Sequence, residues 1–127
     1  MKYMITQISE IMYFVPAAQG VRGREFAAQW YAQFFETEVI RSAEAADFFL
    51  LRVAGVEVVF HPADDKSPTG VAGQLVYWQV ENLDAALERA LRLGAQLYRS
   101  PLKRLDQQWM CQVRDPFGNA IGMIGPR

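Results

Sequence analysis

The chain has 127 residues, a formal net charge of −1 and a hydrophobic content of 51%, a length that suits one compact domain and is short for two with separate cores. Its 13 Lys and Arg residues form no cluster beyond local pairs, so the phosphate neutralisation that drives nucleic-acid binding is not expected. No apolar run approaches the ~20 residues of a membrane-spanning helix, and a single cysteine, Cys111, excludes an intrachain disulfide and fits a reducing compartment such as the cytoplasm.

Residues 1–11 are partly apolar but are interrupted by Gln7, Ser9 and Glu10 and carry no small-residue cleavage signal, so they read as the lead into a first strand. That strand is expected over 8–15 and ends at Pro16. The stretch 16–23, with Gly20 and Gly23, reads as a loop. Over 24–36, Phe26, Trp30 and Phe34 recur every four residues beside Ala27, Tyr31 and Phe35, which predicts a helix. A short strand is expected near 39–41, and strands over 48–53 and 56–61 are joined by Ala54-Gly55 as a hairpin.

Residues 62–73 are rich in Pro, Gly, Asp and Ser and read as a linker. The order then repeats. A strand is expected over 74–80. Asn82 is an N-cap candidate, because its side chain can accept from a free N–H of the first turn. The helix over 83–93 carries Leu83, Leu87, Ala90 and Leu91 on one face and is followed by Gly94, where a terminating glycine belongs. Strands follow over 96–100 and 108–114. The turn 115–119 (DPFGN) leads to a last strand over 120–125.

Strand, helix and three strands, occurring twice, point to an internal duplication. At a shift of 65, residues 10–15 align with 75–80, and 56–60 align with 121–125. The run VENLDAALERALRLGA over 80–95, then Trp109, then Asp115-Pro116-Phe117-Gly118-Asn119, resembles the second module of the vicinal oxygen chelate superfamily, which includes glyoxalases, bleomycin-resistance proteins and extradiol dioxygenases. The resemblance covers most of the chain and is clearest over 73–125. It implies a single α+β domain of two βαβββ modules, about 6–61 and 74–126. Their strands would form a curved mixed sheet around a central cavity, with the helices on the outer face. The first module departs from the pattern in its long 16–23 loop and in Glu36, which stands where the family often has a helix-ending glycine.

Enzymes of that superfamily hold a divalent metal with His and Glu from the first and last strands of each module. Carried over by position, the four places are Glu10, Glu57, Leu75 and Gly122, so the second module supplies no donor. His61 is the only histidine. It shares strand parity with Glu57 and Val59, so Glu10, Glu57 and His61 are the candidate metal ligands. A lone histidine is a weak metal signal, and the expectation is no cofactor, with a divalent metal as the alternative. Glu10 and Glu57 are also the candidates for a general acid or base.

Parity places Met12 and Phe14 with Glu10, and Tyr77 and Gln79 with Leu75. If these form the concave side, Met12, Phe14, Glu57, Val59, His61, Tyr77 and Gln79 line a binding cleft, with Trp109 and Cys111 joining from the penultimate strand. An aromatic, mostly apolar cleft suits a flat organic molecule. The expected function is metal-independent binding of a small hydrophobic or aromatic compound. The alternative is a metal-dependent lyase, isomerase or dioxygenase, and a third reading is an interaction module with no small ligand. The resemblance further implies a homodimer, while the scattered charge and the lack of a long apolar run lead to the expectation of no nucleic-acid or membrane partner.

Overall fold

The computed structural model describes residues 4–45, 47–104 and 106–127. Their contacts divide at Asp64/Asp65 into two compact units, and the division falls inside the expected linker. Each unit pairs one helix with a four-stranded mixed sheet, giving the α+β class anticipated from the sequence. No helix among the described residues is long and apolar enough to cross a membrane.

The first unit runs β1 (Glu10–Val15), a 3-10 turn (Ala17–Gln19), α1 (Gly20–Phe35), β2 (Ile40–Arg41), β3 (Phe49–Val53) and β4 (Val56–Pro62). The strand order is β1-β4-β3-β2, with β1 parallel to β4 and the other pairs antiparallel. Tyr13 stands beside Phe60 and Ile11 beside Val58 in the parallel pair. Because side chains alternate, this row faces one way, and α1 packs against it. The Tyr31 ring stacks on Tyr13 at 4.6 Å between centroids and tilts against Phe60 at 5.4 Å.

The helix is longer than expected and its stripe is rotated. Gly20 and Gly23 read as loop residues in the sequence, yet both lie within α1. Gly23 is buried, and a Cβ there would sit 3.3 Å from Gln19 Cβ, so a close approach favours glycine at that helical position. Ala27, Trp30, Tyr31 and Phe34 form the buried stripe, whereas Phe26 is 57% exposed. Glu36 ends the helix in the left-handed conformation, φ 58°, with its N–H on the carbonyls of Ala32 and Gln33. A residue with a Cβ therefore takes the role usually given to glycine, at a cost of about 1 kcal/mol. Ala54 and Gly55 both have positive φ, 51° and 82°, as a two-residue hairpin turn between right-twisted strands demands.

The second unit runs β5 (Tyr77–Gln79), α2 (Leu83–Arg92), β6 (Gln96–Lys103), β7 (Trp109–Arg114) and β8 (Ala120–Gly125), in the order β5-β8-β7-β6. Strand β5 is shorter than expected. Strand β6 extends through Pro101, which is tolerated because β6 is an edge strand whose pairing with β7 is irregular. Asn82 Oδ1 accepts from Ala85 N at 2.8 Å, capping α2 as its position suggested. Gly94, φ 105°, follows the helix. In the DPFGN turn, buried Asp115 accepts from the N–H groups of Phe117 and Asn119, both at 2.8 Å, which holds the β7–β8 connection closed.

The uniform shift of 65 needs correction. Glu10 pairs with Glu57 in the first unit, so that shift would set Leu75 beside Gly122. Instead Tyr77 pairs with Gly122, a slip of two residues between the halves. The slip keeps every side chain on its expected face, which is why the hydrophobic pattern does not register it.

Candidate functional site

The faces turned away from the helices carry most of the expected site residues, and each unit presents its own set. In the first unit, parallel register aligns Glu10 with Glu57, Met12 with Val59 and Phe14 with His61. Arg52, opposite Glu57 on β3, reaches its carboxylate at 3.3 Å. The Phe14 and His61 rings meet edge to face at 6.1 Å, and His61 Nδ1 lies 3.0 Å from the Pro62 carbonyl oxygen, to which it can donate. This face is therefore acidic at the Glu10 end, with one carboxylate engaged by a guanidinium, and aromatic at the Phe14 end.

The proposed Glu10/Glu57/His61 ligand triad does not assemble. Glu57 and His61 lie four residues apart on one strand, so about 13 Å separates their Cα atoms. Arg52 occupies the Glu57 carboxylate. Among the described residues no group of three or more His, Cys, Asp and Glu side chains is placed to hold one ion. The described residues of this unit do not by themselves fit a resident metal.

In the second unit, Tyr77, Gly122 and Gln112 form one row across β5, β8 and β7, and Gln79, Ile124 and Met110 form the next. The Tyr77 ring lies over Gly122. A Cβ built on that glycine would be 2.6 Å from Tyr77 Cδ1 and 2.8 Å from Cγ, closer than carbon atoms approach. Beyond the glycine, Gln112 Nε2 donates to the Tyr77 hydroxyl at 2.7 Å. Gln79 Nε2 donates to Gln108 Oε1 at 2.9 Å. The place carried over as a metal-ligand position is thus a glycine under an aromatic ring.

Trp109 and Cys111 do not belong to this face. Cys111 pairs with Met123 and Trp109 with Gly125, on the opposite side of the sheet from Tyr77, Gln79 and Gln112. The Arg127 guanidinium stacks over the Trp109 ring at 4.8 Å. Met110 and Gln112 take their places. Along β7, Trp109, Cys111 and Val113 alternate with Met110, Gln112 and Arg114, so the first row is apolar and the second largely polar. Gln112 and Arg114, alternating with Cys111 and Val113, are the local sign of the face that receives polar groups.

Burial raises the Cys111 thiol to about 11, with the nearby Asp84 carboxylate adding to the rise and Arg127 opposing it. The thiolate is the nucleophile, and with that pKa about one thiol in a thousand is ionised at pH 8. A disulfide reagent at pH 8 is therefore expected to leave Cys111 untouched in folded protein and to titrate one thiol in denaturant. Rapid labelling without denaturant would contradict its placement beneath α2.

Comparison with known proteins agrees with this architecture. The family model described as Glyoxalase-like domain matches residues 19–124. A glyoxalase/bleomycin resistance protein/dioxygenase family enzyme from Burkholderia phytofirmans superimposes with a TM-score of 0.77 at 17% identity, covering 96% of this chain and 100% of that one. A genomically encoded fosfomycin resistance protein from Listeria monocytogenes gives a TM-score of 0.71 at 16% identity over 98% and 96% of the two chains. A member of the glyoxalase/bleomycin resistance protein/dioxygenase superfamily from Sphaerobacter thermophilus gives 0.70 at 15% identity over 97% and 99%. No curated protein matches the chain in sequence. At such identities the structural likeness speaks for the fold, and the family match, together with the duplicated strand-helix-strand order, places this chain in the glyoxalase-like domain family.

Proposed function

We propose that the protein binds a small hydrophobic or aromatic compound without a metal ion, in the manner of the bleomycin-resistance branch of its superfamily. The observation that carries this reading is the Tyr77 ring lying over Gly122 and tied to Gln112. It puts an aromatic surface where a metal-dependent relative would need a ligand. Ile124 and Met110, in the adjoining row of the same unit, supply further apolar surface beside the polar groups of Gln79 and Gln112, the mixture that small-molecule sites use. The single buried cysteine suits a cytoplasmic setting. A homodimer is part of the proposal, supported by the exposed apolar residues Leu97, Tyr98 and Leu102 on edge strand β6.

Glu10 and Glu57, side by side in register, favour a second reading as a metal-dependent lyase, isomerase or dioxygenase. One experiment separates the two. Untreated protein is assayed for metal content and then screened by thermal shift against planar aromatic compounds, with and without a chelator. At a free ligand concentration of ten times Kd, binding is expected to add about 1.4 kcal/mol and to raise Tm by about 5 °C, equally in both buffers. Stoichiometric metal whose removal abolishes the shift would establish the second reading instead.

A further inference from the structure

Resting on the binding function just proposed, we infer that the Tyr77–Gln112 pair is a hydrogen-bonding subsite for the amide edge of a flat lactam. Gln112 Nε2 donates to the Tyr77 hydroxyl oxygen at 2.7 Å. Among the described residues neither side chain has another hydrogen-bond partner. The pair therefore keeps the Tyr77 O–H and the second Gln112 N–H as donors and Gln112 Oε1 as an acceptor. If the amide turns over and Tyr77 donates to Gln112 Oε1 instead, both Gln112 N–H groups and a lone pair on the Tyr77 oxygen are free. At least one donor and one acceptor remain either way.

Both side chains are half-buried, so a ligand that leaves either group unmatched loses a hydrogen bond to water without replacement. Their complement is a neutral group offering an acceptor next to a donor, which is the C(=O)–N–H edge of a lactam or cyclic imide. A carboxylate matches donors only, leaves Gln112 Oε1 without a donor and sets its charge against that oxygen. Arg114, exposed two residues further along β7 on the same face, is the nearest cation in that strand and makes the carboxylate a necessary control. Ile124 and Met110 in the adjoining row give the rest of the ring system an apolar floor. Gly122 is what lets the pair form, because any side chain there would displace the ring.

The test uses four probes against the full chain by titration calorimetry: 2-quinolinone, its N-methyl derivative, coumarin and quinoline-2-carboxylate. 2-Quinolinone is expected to bind at least about tenfold tighter than coumarin, which replaces the N–H by an oxygen, and than the N-methyl compound. Gln112→Leu should remove the difference between 2-quinolinone and coumarin. The wild-type comparison needs no variant, so a folding defect in Gln112→Leu would not obscure it. Equal binding of 2-quinolinone and coumarin, or preference for the carboxylate, would overturn the subsite and leave aromatic binding standing. Failure of all four to bind would count against both.

Discussion

Gly125→Ala is expected to destabilise the second unit by about 3 kcal/mol and to lower Tm by about 10 °C. The reason is space. The φ of Gly125 does not lie in the positive range, so alanine is conformationally acceptable there. A Cβ at that position, however, would lie 2.2 Å from the Val80 carbonyl oxygen and 3.0 Å from Val80 Cγ2. The nearer atom belongs to backbone, which has no rotamer to change. The same residue donates its N–H to the Ile124 carbonyl at 2.8 Å, so relief of the clash strains the joint between the end of β5 and the end of β8. Trimming the neighbour, as in Val80→Ala with Gly125→Ala, should recover little, because the obstructing oxygen remains. Equilibrium unfolding in urea measures the loss, and a cost below 1 kcal/mol would show that the strand end yields easily.

Tyr31→Ala is expected to cost about 4 kcal/mol, the range for deleting a large buried aromatic side chain. Tyr31 is 1% exposed and joins three elements, stacking on Tyr13 of β1, tilting against Phe60 of β4 and meeting Trp30 edge to face at 5.0 Å within α1. Alanine leaves a void that these rings fill only by abandoning their mutual geometry, so lost burial and residual cavity add. Tyr31→Phe keeps the ring and should retain most of the stability. Urea titration of the pair separates ring from hydroxyl, and similar losses in both variants would assign the effect to the hydroxyl instead.

The element order was legible in the sequence because its signals are local. Asn82 and Gly94 bracket α2 with a side-chain acceptor and a left-handed residue, and neither depends on distant contacts. Ala54-Gly55 marked its hairpin for the same reason. The start of α1 was not legible, since Gly20 and Gly23 read as breakers while the structure uses Gly23 for close packing. The candidate site divides in the same way. The facing of Glu10, Met12 and Phe14, and of Glu57, Val59 and His61, followed from alternation. The pairing of Tyr77 with Gly122 did not, because a two-residue slip leaves alternation intact. Trp109 and Cys111 were assigned to the wrong face although alternation speaks against it, since Gln112 and Arg114 mark the other face of β7 as the polar one.

The placement of Tyr77 over Gly122 makes substitutions at the two positions depend on their order. A bulkier residue at 122 collides with the phenol while the ring is present. The ring loses its reason to lie flat once 122 has grown. A single exchange at 122 therefore meets a barrier that disappears only after position 77 has become smaller, so the pair acts as a ratchet that keeps the chain in its present form.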